Sequence, residues 1–174
     1  MTAKDFIRAV SNGEEDIIQM LLDIIARAEM PYCIIGGLAV NAYADPVVSL
    51  DLDIVVVASH LETLCTKARE AGLQIERFEH RINLSSPKSD LRIQLLTGAR
   101  YQEFIPRSQR KNVLGYEMMV ATMEDVLKGK LWAYTDETRR KSKRQKDLAD
   151  IARLVETHPD LSAHLPDTVR ALVE

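Results

Sequence analysis

The sequence predicts an α+β fold: a mixed β-sheet flanked by helices, with a C-terminal helical segment that closes a cleft over the sheet. Three observations carry this reading. Strand-like runs concentrate before about residue 120, and helical periodicity dominates after it. A length of 174 residues suits one domain, or a small domain with a helical appendage. The expected division is a core over residues 1–120 and a helical segment over residues 121–174 packed on it.

The elements follow in order. Over residues 13–30, Ile17, Ile18, Leu21, Leu22, Ile24, Ile25 and Ala28 recur at a helical period. Glu14, Glu15 and Asp16 favour its first turn through the helix dipole, and Pro31 stops it. Tyr32–Ile35 reads as a strand, residues 37–44 as a short helix broken by Asp45-Pro46, and residues 51–57 as a buried strand rich in Ile and Val. Residues 61–71 form a helix that ends at Gly72, a residue suited to the position after a helix. Residues 73–84 hold one or two strands, residues 85–90 a turn, and residues 91–96 a strand that completes an antiparallel hairpin. Residues 101–110 read as irregular, and residues 113–120 as one or two short strands. Thr122 caps a helix over residues 123–134, a second helix covers 142–156, and a short one covers 166–173.

The densest chemistry lies between Cys33 and Val57. A Gly36-Gly37 pair leaves one apolar strand and opens a helix, and the next strand begins Leu50-Asp51-Leu52-Asp53. Strand residues at i and i+2 share a face with Cα atoms about 6.5–7 Å apart, so Asp51 and Asp53 present two carboxylates together. Mg²⁺ prefers carboxylate oxygens and commonly shares them with substrate phosphates. A glycine pair lets a phosphate approach the backbone closely, beside a helix start that favours anions. The pattern points to metal-assisted phosphate chemistry.

Two downstream segments extend the pattern: Glu124-Asp125-Val126-Leu127-Lys128-Gly129-Lys130-Leu131-Trp132-Ala133, and Lys146-Asp147-Leu148-Ala149-Asp150-Ile151. With Gly-Gly and Asp-x-Asp, they resemble the nucleotidyltransferase superfamily of polymerase-beta-like fold, and most of all its small bacterial AbiEii-type toxin branch. The resemblance covers residues 18–155. It implies a nucleoside triphosphate (NTP) as substrate, Mg²⁺ on Asp51 and Asp53, phosphates on Gly36 and Gly37, and a phosphate contact from Lys130. Asp147 or Asp150 takes the acidic position of the last motif. The acceptor is a hydroxyl of a protein or an RNA, and an antitoxin is an implied partner.

Two departures stand out. Relatives carry an arginine four residues before the first aspartate, in a pattern like R-x-T-x-D, where this chain has Val47 and Ser49; the hydroxyl is retained and the charge lost. The third carboxylate of the superfamily is expected in the run Leu91-Arg92-Ile93-Gln94-Leu95-Leu96, where Gln94 takes its place. Glutamine is neither a base nor a charged metal ligand. Two readings therefore stand: a transferase of nucleoside monophosphate (NMP), or a degenerate nucleotide-binding or partner-binding module.

Composition excludes other classes. The charged fraction is 28% and the net charge −3, so the whole molecule has no strong pull on nucleic acid. Residues 139–146 nevertheless hold six basic side chains, read either as a solvated helix start or as a groove for triphosphate or an RNA backbone. Cys33 and Cys65 read as buried thiols, and the four histidines show no zinc-type spacing. Trp132 reads as core. No apolar run reaches membrane-span length and no signal-peptide pattern opens the chain, so the expected location is cytoplasmic.

Overall fold

The computed structural model describes residues 2–174. The chain opens with α1 (Ala3–Val10) and α2 (Ile17–Arg27). The sequence reading had no helix at α1; its signal is a reciprocal cap, in which the Asp5 amide donates to Thr2 Oγ1 (3.1 Å) and the Thr2 amide to Asp5 Oδ2 (3.0 Å). α2 starts at Ile17 rather than near Gly13. The Asp16 carboxylate accepts from the Gln19 amide at 3.0 Å, which makes Asp16 the cap and leaves Glu14 and Glu15 before the helix.

Next come β1 (Tyr32–Ile35), α3 (Gly36–Val40), β2 (Asp51–Val56), α4 (Leu61–Glu70), β3 (Gln74–Arg77), β4 (Ile82–Ser86) and β5 (Ser89–Leu96). The turn expected over residues 85–90 shrinks to Pro87-Lys88, because Ser86 and Ser89 pair with each other in the ladder. The stretch expected to be irregular contains α5 (Phe104–Arg107) and the start of β6 (Gln109–Val113). β6 turns into β7 (Tyr116–Val120) through Leu114 and Gly115, both at positive φ (51° and 91°), the backbone that a two-residue hairpin turn requires. The chain finishes with α6 (Met123–Thr135), α7 (Lys141–Thr157) and α8 (Asp167–Val173).

The seven strands form one mixed sheet in the order β3-β4-β5-β2-β1-β7-β6. β1 runs antiparallel to β2 and parallel to β7, and β2 runs parallel to β5. Alternation then sorts the side chains. Leu52 and Ile54 of β2 point with Ile93 and Leu95 of β5 into the core, where all four are buried, and α2 and α4 pack on that side. Asp51 and Asp53 point the other way, where α3, α6 and α7 pack together. One continuous core spans sheet and helices, with Val126 and Leu127 of α6 and Ile151 and Leu154 of α7 in it. Cys33 and Cys65 are buried free thiols, and burial pushes the Cys33 thiol up to about 12. Among the described residues, no helix is long and apolar enough to cross a membrane.

Candidate functional site

Asp51 and Asp53 sit at the start of β2, and the chain passes above them as the β1–α3 junction. β1 is antiparallel to β2 and ends with Ile35 opposite Asp53, so Gly36 arrives directly over the Asp53 carboxylate. Gly36 has φ of +75°, and a Cβ there would stand 2.2 Å from Asp53 Oδ2. No side chain fits this position, on grounds of both backbone and space. At Gly37, a Cβ would lie 3.7 Å from Asp150 Oδ2 and 3.9 Å from Ser49 Oγ, so this glycine faces the cleft. The Ser49 hydroxyl accepts from the Asp51 amide at 3.2 Å, which shapes the entry to the strand.

The two carboxylates differ. Asp51 is flanked by Arg92 Nε at 3.0 Å from Oδ1 and by Lys143 Nζ at 3.6 Å from Oδ2. Asp53 has no such pair, and its Oδ1 is fully enclosed without a hydrogen-bond partner. Burial pushes its pKa up to about 6; Lys130 pulls against this and the neighbouring Asp51 adds to it. An enclosed, unpartnered carboxylate oxygen is costly unless a cation comes to it. Asp51 and Asp53 are the side chains here whose oxygens could hold a divalent cation. Among the described residues, no cluster of three or more His, Cys, Asp or Glu side chains stands close enough to hold a metal ion. On β5, the neutral Gln94 lies in register beside Asp53.

The opposite wall comes from α6 and α7. Lys130 is only 8% exposed and Asp147 only 1%. The Lys130 ammonium donates to Asp147 Oδ1 at 3.1 Å and stands 2.7 Å from Asp150 Oδ2. Burial works against its charge, yet Asp150 and Asp147 more than offset this and hold its pKa above the usual lysine value. Arg139 Nε donates to Asp147 Oδ2 at 2.7 Å, and Arg153 Nη1 to Asp150 Oδ1 at 2.7 Å. Asp147 thus pairs with α6 and with the loop before α7, not with Arg144 or Lys143 of its own helix. Both Asp147 and Asp150 line the cleft.

The fold brings Gly37, Ser49, Asp51, Asp53, Lys130 and Asp147 to one cleft of about 90 Å³. Gly36 forms its roof over Asp53, and Gln94 stands beside that aspartate in the sheet. The basic run contributes Arg139, Lys143 and Lys146 to the lining. A larger hollow of about 350 Å³ near α1, lined by Asp5, Arg8 and Asn12 among others, gathers no comparable set of groups. Sequence reasoning did not single out Arg92, Arg153 or Asn41. Arg153 carried a signal, since it follows Asp150 by three positions on one helix face. Asn41 carried none, because its partners are the Val47 backbone of the following loop and the Arg153 side chain of α7, a contact that only the tertiary fold makes. Trp132 packs against the core, stacked on Phe104 with ring centroids 5.7 Å apart.

Solved structures with the same architecture define the fold class. The lincosamide antibiotic adenylyltransferase LnuA superposes with a TM-score of 0.57 at 14% identity, covering 82% of this chain and 98% of its own. ANT(2'')-Ia, solved in complex with adenylyl-2''-tobramycin, gives 0.62 at 14% identity, with 90% and 94% covered. A nucleotidyltransferase-like protein from Thermotoga maritima, TM1012, gives 0.55 at 12% identity, with 86% and 96% covered. At these identities the likeness is one of fold, the nucleotidyltransferase fold. A comparison with curated protein sequences gave no significant match. The family described as "Nucleotidyl transferase AbiEii toxin, Type IV TA system" matches residues 34–174, and the chain belongs to that family.

Proposed function

We propose that this protein transfers a nucleoside monophosphate from an NTP to a hydroxyl acceptor, in the toxin–antitoxin setting of its family. The observation that carries the reading is the enclosed, unpartnered Asp53 oxygen beside Asp51, under a glycine that only a missing side chain permits. Asp51 and Asp53 would hold Mg²⁺, which when bound neutralises triphosphate charge and polarises the phosphoryl group under attack. The Gly36-Gly37 backbone lies against the phosphates. Lys130, with Arg139, Lys143 and Lys146, supplies positive charge along the same path.

The acceptor oxygen bonds to the α-phosphorus, the bond from that phosphorus to the bridging oxygen breaks, and pyrophosphate leaves with the electron pair. The hydroxyl proton passes to water, because Gln94 accepts none. The acceptor is a protein or RNA hydroxyl, the antitoxin is the expected antagonist in a cytoplasmic setting, and the core of residues 1–120 holds the metal while residues 121–174 supply the cationic wall.

Gln94 favours a second reading, in which the protein binds Mg²⁺–NTP and turns it over slowly or not at all. Incorporation of label from α-³²P-NTPs into total protein and RNA decides between the two. Transfer by the natural protein, raised by Gln94→Asp, supports the transferase. Binding without transfer in the natural protein, with transfer only in Gln94→Asp, supports a silenced site. No transfer by either, with NTP bound, removes the transferase reading.

A further inference from the structure

One wall of the cleft differs chemically from the rest. Its lining is otherwise charged or small, with Val47 and Val48 as its large apolar members. They are 52% and 37% exposed, and Leu50 beside them is 36% exposed. Val47 and Val48 are two of the six large hydrophobic side chains left exposed among the described residues, and both line this cleft, which Leu50 does not. Inside a lining of charged and small groups, these two valines give the rim an apolar face.

The lip is held rather than loose. Asn41 Nδ2 donates to the Val47 carbonyl at 2.8 Å, and the Val47 amide donates back to Asn41 Oδ1 at 3.0 Å. Arg153 Nη2 donates to the same Asn41 oxygen at 2.9 Å and to the Asp45 carbonyl at 2.6 Å. The guanidinium that binds Asp150 inside the cleft therefore also fixes the loop that carries the valines. Both ends of the Asn41 carboxamide are committed to this clamp.

Size completes the argument. A space of about 90 Å³ is well below the usual volume of a small-molecule site. The charged interior suits phosphate, and the rest of a nucleotide must lie outside, over the rim. We propose that Val47 and Val48 form the platform on which the nucleobase of the NTP packs, an inference that rests on the nucleotide reading above. Their side chains carry no hydrogen-bond donor or acceptor, so the platform holds a base by its apolar face and does not read its edge. ATP, GTP, CTP and UTP then bind with affinities within about tenfold of one another.

The test is calorimetric titration of the full chain, in Mg²⁺, with each NTP and with inorganic tripolyphosphate. The variants are Val47→Ser/Val48→Ser and the conservative Val47→Ile/Val48→Ile. Both residues are exposed, so the melting temperature is expected to stay within a few degrees of wild type. The expected result is that the serine variant loses about tenfold in NTP affinity, keeps tripolyphosphate affinity, and that the isoleucine variant binds as wild type. Unchanged NTP affinity in the serine variant, or equal affinity for NTP and tripolyphosphate in wild type, overturns the platform alone. Strong preference for one base overturns its blindness to the base edge. Absence of binding by all NTPs and tripolyphosphate overturns the nucleotide reading, and the platform with it.

Discussion

At the scale of single residues, Asp53 sets the behaviour of the cleft. Its Oδ1 is enclosed, and burial holds its pKa at about 6, above the ordinary aspartate value of 3.8. The folded protein therefore binds that proton more tightly than the unfolded chain does. The stability this confers is complete below about pH 4 and is lost as pH rises through about 6, a difference of about 3 kcal/mol. Asp53→Asn removes this dependence. Denaturant unfolding from pH 4 to pH 8, without added metal, is expected to show the difference between wild type and variant opening over that window, with the variant the more stable at pH 7. A constant difference would contradict the account. The position of the two aspartates was legible because a strand's period of two leaves no choice of face. The burial of Asp53 was not legible. It depends on Gly36 crossing over it, and so on the antiparallel pairing of β1 with β2.

At the scale of elements, α6 and α7 are joined by buried charge. Lys130, Asp147, Asp150, Arg139 and Arg153 form one connected network. In Lys130→Met, Asp147 keeps Arg139 and Asp150 keeps Arg153, so what is lost is the charge-assisted hydrogen bonding of the buried ammonium, about 1.5–3 kcal/mol. Lys130→Met is expected to lower unfolding stability by that amount in urea titration. A change under about 1 kcal/mol would mean that the network is no more than a surface arrangement. The helices themselves were legible from capping and period, with Thr122 as the N-cap of α6 accepting from the Asp125 amide at 3.2 Å. Their ion pairs were not, because Lys130 and Asp147 lie seventeen positions apart on different helices. α1 went unseen because its signal is the reciprocal cap between Thr2 and Asp5. The two-residue turn between β4 and β5 was overestimated because Ser86 and Ser89 read as turn residues while still pairing in the ladder.

For the whole molecule, the sheet order explains why the site lies where it does. β2 sits centrally, between β1 and β5, and the chain must cross from β1 into α3 directly above its first residues. The C-terminal helices then close over this crossing and bring the basic run of residues 139–146 to the same cleft. The net charge of −3 concealed that local concentration. Gln94 lies in register beside Asp53, in the strand where the family resemblance implied a third acid. The central claim is that Asp51 and Asp53 bind an NTP through a divalent cation. The most direct measurement is calorimetric titration of NTP with and without Mg²⁺, on wild type and on Asp51→Asn/Asp53→Asn. The account predicts Mg²⁺-dependent binding by wild type and at least a tenfold loss in the double variant. Equal binding by the two proteins, or wild-type binding indifferent to Mg²⁺, would contradict it.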